Sequence, residues 1–253
     1  MRSFRILLGH ELRMLLVSPA TYIAATLFLV VMGFIFAGIL ESFTSAAQEG
    51  SPAGTFFQLF WIPVLFMVPL LTMKSLAEER RLGTLETLLT TPVTTPQVVF
   101  AKFFAAYALY LGLWASTGGF FSILQLFAGT SYRLDSGPLI GGYLFITVSG
   151  LLFVALGIFA SSITRNQAVA GILAFVLLLL LVIGTRYTST LELLKLDSMA
   201  STRSAIDYVQ VFTHLDDFTR GVIDTRQILF YLSGSAVALL FSIFGVEAKL
   251  LHS

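Results

Sequence analysis

Six continuous apolar runs, each long enough to cross a bilayer, leave this chain very few ways to fold. They cover about residues 20–40, 55–75, 97–127, 139–162, 167–186 and 227–247. A helix rising about 1.5 Å per residue needs about 20 apolar residues to traverse a hydrocarbon core of ~30 Å. The runs lack the polar–apolar alternation of membrane strands, and within lipid only helices and closed barrels satisfy their own backbone. The expected fold class is therefore all-α, a polytopic membrane protein with six transmembrane helices in a single transmembrane domain spanning 1–253. Composition agrees: 57% of residues are hydrophobic and 11% charged, against about 25% charged in soluble domains.

The first eighteen residues mix Phe4, Ile6, Leu7, Leu8, Leu12, Leu15 and Leu16 with Arg2, Arg5, Glu11 and Arg13. This pattern predicts an amphipathic helix over 1–18, lying in the membrane interface with its arginines toward headgroups. Ser18-Pro19 should break it, because proline suits the first turn of the next helix. No cleaved signal is expected, since the apolar run begins only near Ala20, well past the first charges. With the amino terminus cytosolic, inner segments hold nine Lys and Arg and outer ones hold six, five of these in one long segment. Long segments carry little orienting force, so both termini are expected in the cytosol. That long segment, Arg186 to Arg226, of which 187–226 lies beyond the fifth run, repeats Ile206, Val209, Phe212 and Leu215, widened by Tyr208, Val211, Phe218 and Val222. It reads as an amphipathic helix on the outer interface, or a short re-entrant pair.

Absences narrow the function. There is no phosphate-cradling G-x-x-x-x-G-K-[ST] loop, so no ATP hydrolysis is expected in this chain. It has no cysteine, its three histidines (His10, His214 and His252) form no ligand spacing, and no basic run would neutralise nucleic-acid phosphates. The histidines are expected at surface or interfacial positions. Span centres are nearly free of ionisable groups, which ion-coupled carriers require. Glycines at Gly118-Gly119, Gly141-Gly142 and Gly150 suit close helix packing instead. Energy should therefore enter from outside the chain.

One charged stretch is suited to receive it. Glu78, Glu79, Arg80 and Arg81 end the second run, and Gly83 allows a bend. Thr84 can cap a short helix from Leu85 to Leu89, too short to persist without a docking surface. Leu85, Leu88 and Leu89 share one side of it. Pro92 and Thr94-Thr95-Pro96 end the excursion, with Thr95 expected as cap and Pro96 as first residue of the third span. Physics alone leaves two readings: a helix docking into a partner's groove, or an ordinary polar loop whose arginines anchor in headgroups.

The run Glu78-Glu79-Arg80, Gly83-Thr84-Leu85-Glu86 and Leu88-Leu89, with the Thr/Pro stretch to Lys102, resembles the segment after the second span of ABC-2-type transporter permeases. Phe218-Thr219-Arg220-Gly221-Val222-Ile223-Asp224 is similar to the same place in the gliding-motility-associated permease branch. The resemblance covers nearly the whole chain and departs only in the brief carboxyl tail. It implies an exporter permease subunit in the cell inner (cytoplasmic) membrane, pairing with a second permease copy or paralogue. It further implies a cytosolic ABC ATPase subunit as partner, with ATP and Mg on that partner and no cofactor in this chain. By the same resemblance Glu78, Glu79, Arg80, Gly83, Thr84, Leu85, Glu86, Leu88 and Leu89 would form the ATPase contact as a cytosolic coupling helix. Arg80 and Glu86 would be its polar anchors and the leucines its docking side. Phe218, Arg220, Gly221 and Asp224 would mark the outer segment. A rival reading is a non-transporting subunit that relays ATPase motion to an outer-side partner.

Overall fold

The structure, a computed structural model, describes residues 2–45, 51–84, 93–128, 135–188 and 208–250. Among these residues every regular element is a helix. Six helices are long and apolar enough to cross a membrane: Pro19–Phe43, Trp61–Leu82, Thr95–Leu126, Ser136–Ile163, Gln167–Tyr187 and Thr225–Ala248. The chain is thus an all-α polytopic membrane protein.

Helix α1 (Arg2–Val17) stops at Ser18, and α2 (Pro19–Ser45) opens on the proline, whose missing N–H costs nothing in a first turn. The second span comes in pieces. A short α3 (Pro52–Gln58) is followed by a turn at Leu59 and Phe60, then α4 (Trp61–Thr72) and α5 (Ala77–Leu82). The apolar run at 55–75 is therefore not one helix. The helix restarts at Trp61 with Pro63 in its first turn, where the missing N–H is tolerated, and the Leu59 carbonyl accepts from the Ile62 N–H at 3.2 Å.

The third span is α6 (Thr95–Ser116) continued by α7 (Gly118–Ala128). Its excess length is taken up at Thr117, whose hydroxyl donates to the Trp114 carbonyl at 2.6 Å and lies 2.9 Å from the Tyr143 hydroxyl. Its cap is Thr94 rather than the expected Thr95, because Gln97 sits three residues on and its Oε1 accepts from the Thr94 N–H at 3.4 Å.

Helix α8 (Ser136–Ile163) is the most enclosed span and the axis of the bundle. Its glycines set that position. A Cβ on Gly142 would lie 2.1 Å from the Phe57 ring, on Gly150 2.3 Å from Tyr110, and on Gly157 2.3 Å from Thr72. Glycine at these positions lets α3, α6 and α4 approach α8 closely. Gly119, by contrast, faces open space.

Helix α9 (Gln167–Leu179) passes through a π-helical turn at Leu180–Gly184 into Thr185–Thr188. After it come α10 (Val211–Thr219) and the last span, α11 (Thr225–Leu250). Helix α10 carries Val211, Phe212, Leu215 and Phe218 of the stripe read from the sequence, and these four are buried against protein, while Tyr208 and Val222 lie outside the helix and are exposed. Phe212 meets Phe60 at 5.8 Å, Phe218 meets Phe145 at 6.0 Å, and the Phe218 carbonyl lies over Gly141. The apolar side is satisfied by protein, because α3 and the start of α8 offer aromatic surface there. Ile206 lies outside the described residues. His214 is only 3% exposed, so the surface position expected for it is corrected.

Candidate functional site

The charged stretch begins where α4 gives way to α5. The turn leaves the amides of Leu76 and Ala77 without helical partners, and both donate to the Ser161 hydroxyl of α8 at 3.0 Å. Ser161 in turn donates to the Met73 carbonyl at 3.3 Å. One serine thus fixes the start of α5 against the end of α8. Gly83 closes α5 in the left-handed region at φ 70°, where a side chain would be strained. The chain bends there as the sequence suggests, and Thr84 Oγ1 donates back to the Glu79 carbonyl at 3.3 Å.

Between these two points the side chains turn inward. Glu79 Oε1 accepts from Lys102 Nζ of α6 at 2.6 Å, and the same ammonium reaches Glu11 Oε1 of α1 at 2.9 Å. Lys102 is 3% exposed, so one buried cation holds two carboxylates and three helices together. Such a group is costly to desolvate and is held by the geometry of its partners rather than by net gain. Arg80 spans further. Its guanidinium donates to the Ser162 carbonyl in the last turn of α8 and to the Gly245 carbonyl of α11 at 2.6 Å. The planar fork of arginine suits two separated acceptors, as a lysine would not.

These placements divide the expected contact residues. Glu79 and Arg80 are engaged within the chain, Glu78 is half-buried, and Arg81, Gly83 and Thr84 are exposed. Leu85, Glu86, Leu88 and Leu89, with the short helix expected there, lie outside the described residues. Sequence reasoning did not single out Ser161 and Ser162; it named Glu11 only among the charges of the first helix and Lys102 only as the end of the Thr/Pro stretch. The available signal was charge. A lysine at the start of one apolar run and a glutamate at the end of another are each too costly to bury alone.

At the other end, Phe218 is fully buried while Arg220 and Gly221 are exposed. Gly221 sits at φ 83°, with its N–H on the Phe218 carbonyl at 3.0 Å and the Val222 N–H on the Asp217 carbonyl at 2.9 Å. This is a Schellman stop to α10. Asp224 then caps α11 by accepting from the Arg226 N–H at 2.8 Å. The Phe218–Asp224 motif is accordingly a tight turn between two helices. Beside it, His214 Nδ1 lies 3.0 Å from the Tyr231 hydroxyl and Nε2 lies 3.1 Å from the Tyr208 carbonyl oxygen. Burial holds this imidazole below its ordinary pKa, against the opposing pull of the Tyr208 carbonyl, Asp217 and Asp224. The charge cluster and the Phe218–Asp224 turn meet one helix, α8, at Ser162 and Gly141, roughly 30 Å apart at about 1.5 Å rise per residue. Among the described residues no group of three or more His, Asp or Glu could hold a metal ion.

A family model described as "ABC-2 family transporter protein" matches residues 5–246, from α1 almost to the end of α11. The chain belongs to the ABC-2 transporter family. Its similar relatives include the probable multidrug ABC transporter permease YbhR of Escherichia coli (strain K12), 28% identical over 166 residues. That stretch is 61% of this chain and 39% of the relative. The same-named protein of Escherichia coli O157:H7 matches to the same extent. The chain spans 39% of the length of these curated relatives. In this ABC-2 family chain, both the charge cluster around Lys102 and the Phe218–Asp224 turn fall within the stretch that the family model covers.

Proposed function

We propose that this ABC-2 family chain is the membrane-spanning permease subunit of an ATP-driven exporter, of the gliding-motility-associated kind, and is not itself catalytic. A separate cytosolic ABC ATPase subunit supplies the energy, and a second permease copy or paralogue completes the pathway. Both termini face the cytosol of the inner membrane. One observation carries the reading: the residues just before Gly83 are bonded to four other helices. Glu79 reaches α6 and, through the shared Lys102, α1, while Arg80 reaches α8 and α11. A push on the segment beyond Gly83 therefore has stiff, charge-assisted links into most of the bundle.

This reading sorts the residues into two roles. Thr84, Leu85, Glu86, Leu88 and Leu89 meet the ATPase, with Glu86 as polar anchor. Glu79 and Arg80 are positioning residues that pass the motion inward. Spans poor in charge suit an apolar or amphipathic cargo. The relay reading draws on α8, which joins the inner cluster to the outer turn, and measured cargo movement separates it from transport.

The test is co-expression with the ATPase encoded beside this chain, followed by co-purification and nucleotide turnover in lipid. A complex with turnover is the expected result. Glu86→Lys should reduce the ATPase recovered while membrane insertion is retained, and normal recovery would remove the docking role. Turnover by the purified chain alone, clearly above a mock preparation, would overturn the assignment of hydrolysis to a separate subunit.

A further inference from the structure

A cleft of 510 Å³ opens where the turn from α8 to α9 faces α5, lined by Arg81, Thr164, Arg165, Asn166, Gln167 and Ala168. It lies on the same side of the bundle as Gly83, the cytosolic side in the reading above, on which the inference rests. Among the described residues no carboxylate lines it, and neither Arg81 nor Arg165 forms an ion pair. Arg165 also stands close enough to Arg80 for their charges to repel. Arg80 spends its donors on carbonyl groups, which carry no net charge. Among the described residues, three guanidinium groups thus gather at one corner without an ion-pair partner. Guanidinium forks match phosphate oxygens better than any other common anion donor set in proteins.

The rim identifies the source. Leu82, Ile163 and Val169, each adjacent in sequence to a lining residue, are 61%, 39% and 43% exposed. Large apolar side chains exposed at the ends of spanning helices are covered by acyl chains. A soluble phosphate offers nothing to lay against them, whereas a phospholipid does. Basic pockets between spans on the cytoplasmic side recur as headgroup sites, and the volume is ample for one.

We propose that this cleft binds a phosphoryl anion between Arg81 and Arg165, supplied by an anionic phospholipid whose chains lie against Leu82, Ile163 and Val169. The binding locks the α8–α9 turn to α5, one residue short of the Gly83 bend.

The purified full chain in neutral detergent, titrated with dioleoylphosphatidylglycerol and followed by native mass spectrometry, tests this. One retained lipid per chain is expected. Arg81→Gln or Arg165→Gln should weaken it roughly fivefold each, and the double substitution about thirtyfold. Lysine at both positions should keep most of the affinity, which excludes misfolding as the cause, and dioleoylphosphatidylcholine should bind all variants alike. Retention of inorganic phosphate, with displacement of the lipid by excess phosphate, would assign the phosphoryl group to a soluble source. Lipid that phosphate does not displace assigns it to the bilayer. Equal phosphatidylglycerol affinity in the native chain and the double glutamine variant overturns the site. If that variant instead binds lipid normally but loses the ATPase, the arginines are partner contacts and the proposal falls. The titration contains no ATPase, so its failure leaves the coupling reading standing. Failed co-purification likewise leaves the lipid site standing.

Discussion

Lys102 shows why a single charge matters in a chain with so few. Its ammonium forms ion pairs with both Glu11 and Glu79, and it is almost wholly buried. Lys102→Met would leave two carboxylates facing each other with nothing between them. Breaking a fully buried pair costs about 3–5 kcal/mol. Here the side chain of Glu79 is 24% exposed, so water screens part of the charge and about 2 kcal/mol is expected. Thermal unfolding in detergent should show a lowered midpoint, partly restored by adding Glu79→Gln. His214 predicts a pH effect of definite sign. Its folded pKa lies below the ordinary 6.5, so between the two values the unfolded chain binds more protons. Its contribution is therefore complete above about pH 6.5 and declines as pH falls toward the folded value. Unfolding midpoints from pH 8 down to 5 should decline in this way. In His214→Gln, which keeps hydrogen-bonding atoms and cannot titrate, that component of the slope should vanish.

Among the elements, α8 depends most on its smallest residues. Gly150→Ala places a methyl 2.3 Å from Tyr110, where the ring must move. Overpacking of this kind costs about 1–3 kcal/mol. Gly119→Ala, in open space on α7, should leave the unfolding midpoint unchanged or slightly raised, since alanine favours helix. The comparison reads directly on how far sequence can go. Gly141, Gly142 and Gly150 were legible as packing glycines because small residues in apolar helices have few other uses. Gly157, whose Cβ would lie 2.3 Å from Thr72, was not singled out, since a lone glycine in an apolar run carries no sign of what it packs against. Six helices were legible because bilayer thickness imposes their length. The restart at Trp61 was hidden, since hydropathy is blind to a turn within an apolar run. The amphipathic stripe of α10 was visible, but whether lipid or protein would cover it depended on where Phe60 and Phe145 end up. Glu79 and Arg80 stood out as charges; their inward direction depended on partners that no local pattern announces.

For the whole molecule, orientation is the property everything else leans on. An epitope at residue 200 should be labelled from outside intact cells, and labelling only after permeabilisation would invert the topology and place the Gly83 bend on the wrong side for an ATPase. The three links from the inner cluster also differ in when they become possible. Lys102 follows Glu79 by 23 residues, so that pair can close as soon as the second and third spans form a hairpin. The acceptors of Arg80 come 82 and 165 residues later, at Ser162 and Gly245. Synthesis adds roughly 5–20 residues per second, so the guanidinium waits roughly 10–30 seconds for its last partner. For the second half of that interval the arginine can bond Ser162 but not Gly245, and only emergence of the final span completes its pair of acceptors. Chain termination before Gly245 would therefore leave Arg80 without the second of its two carbonyl acceptors.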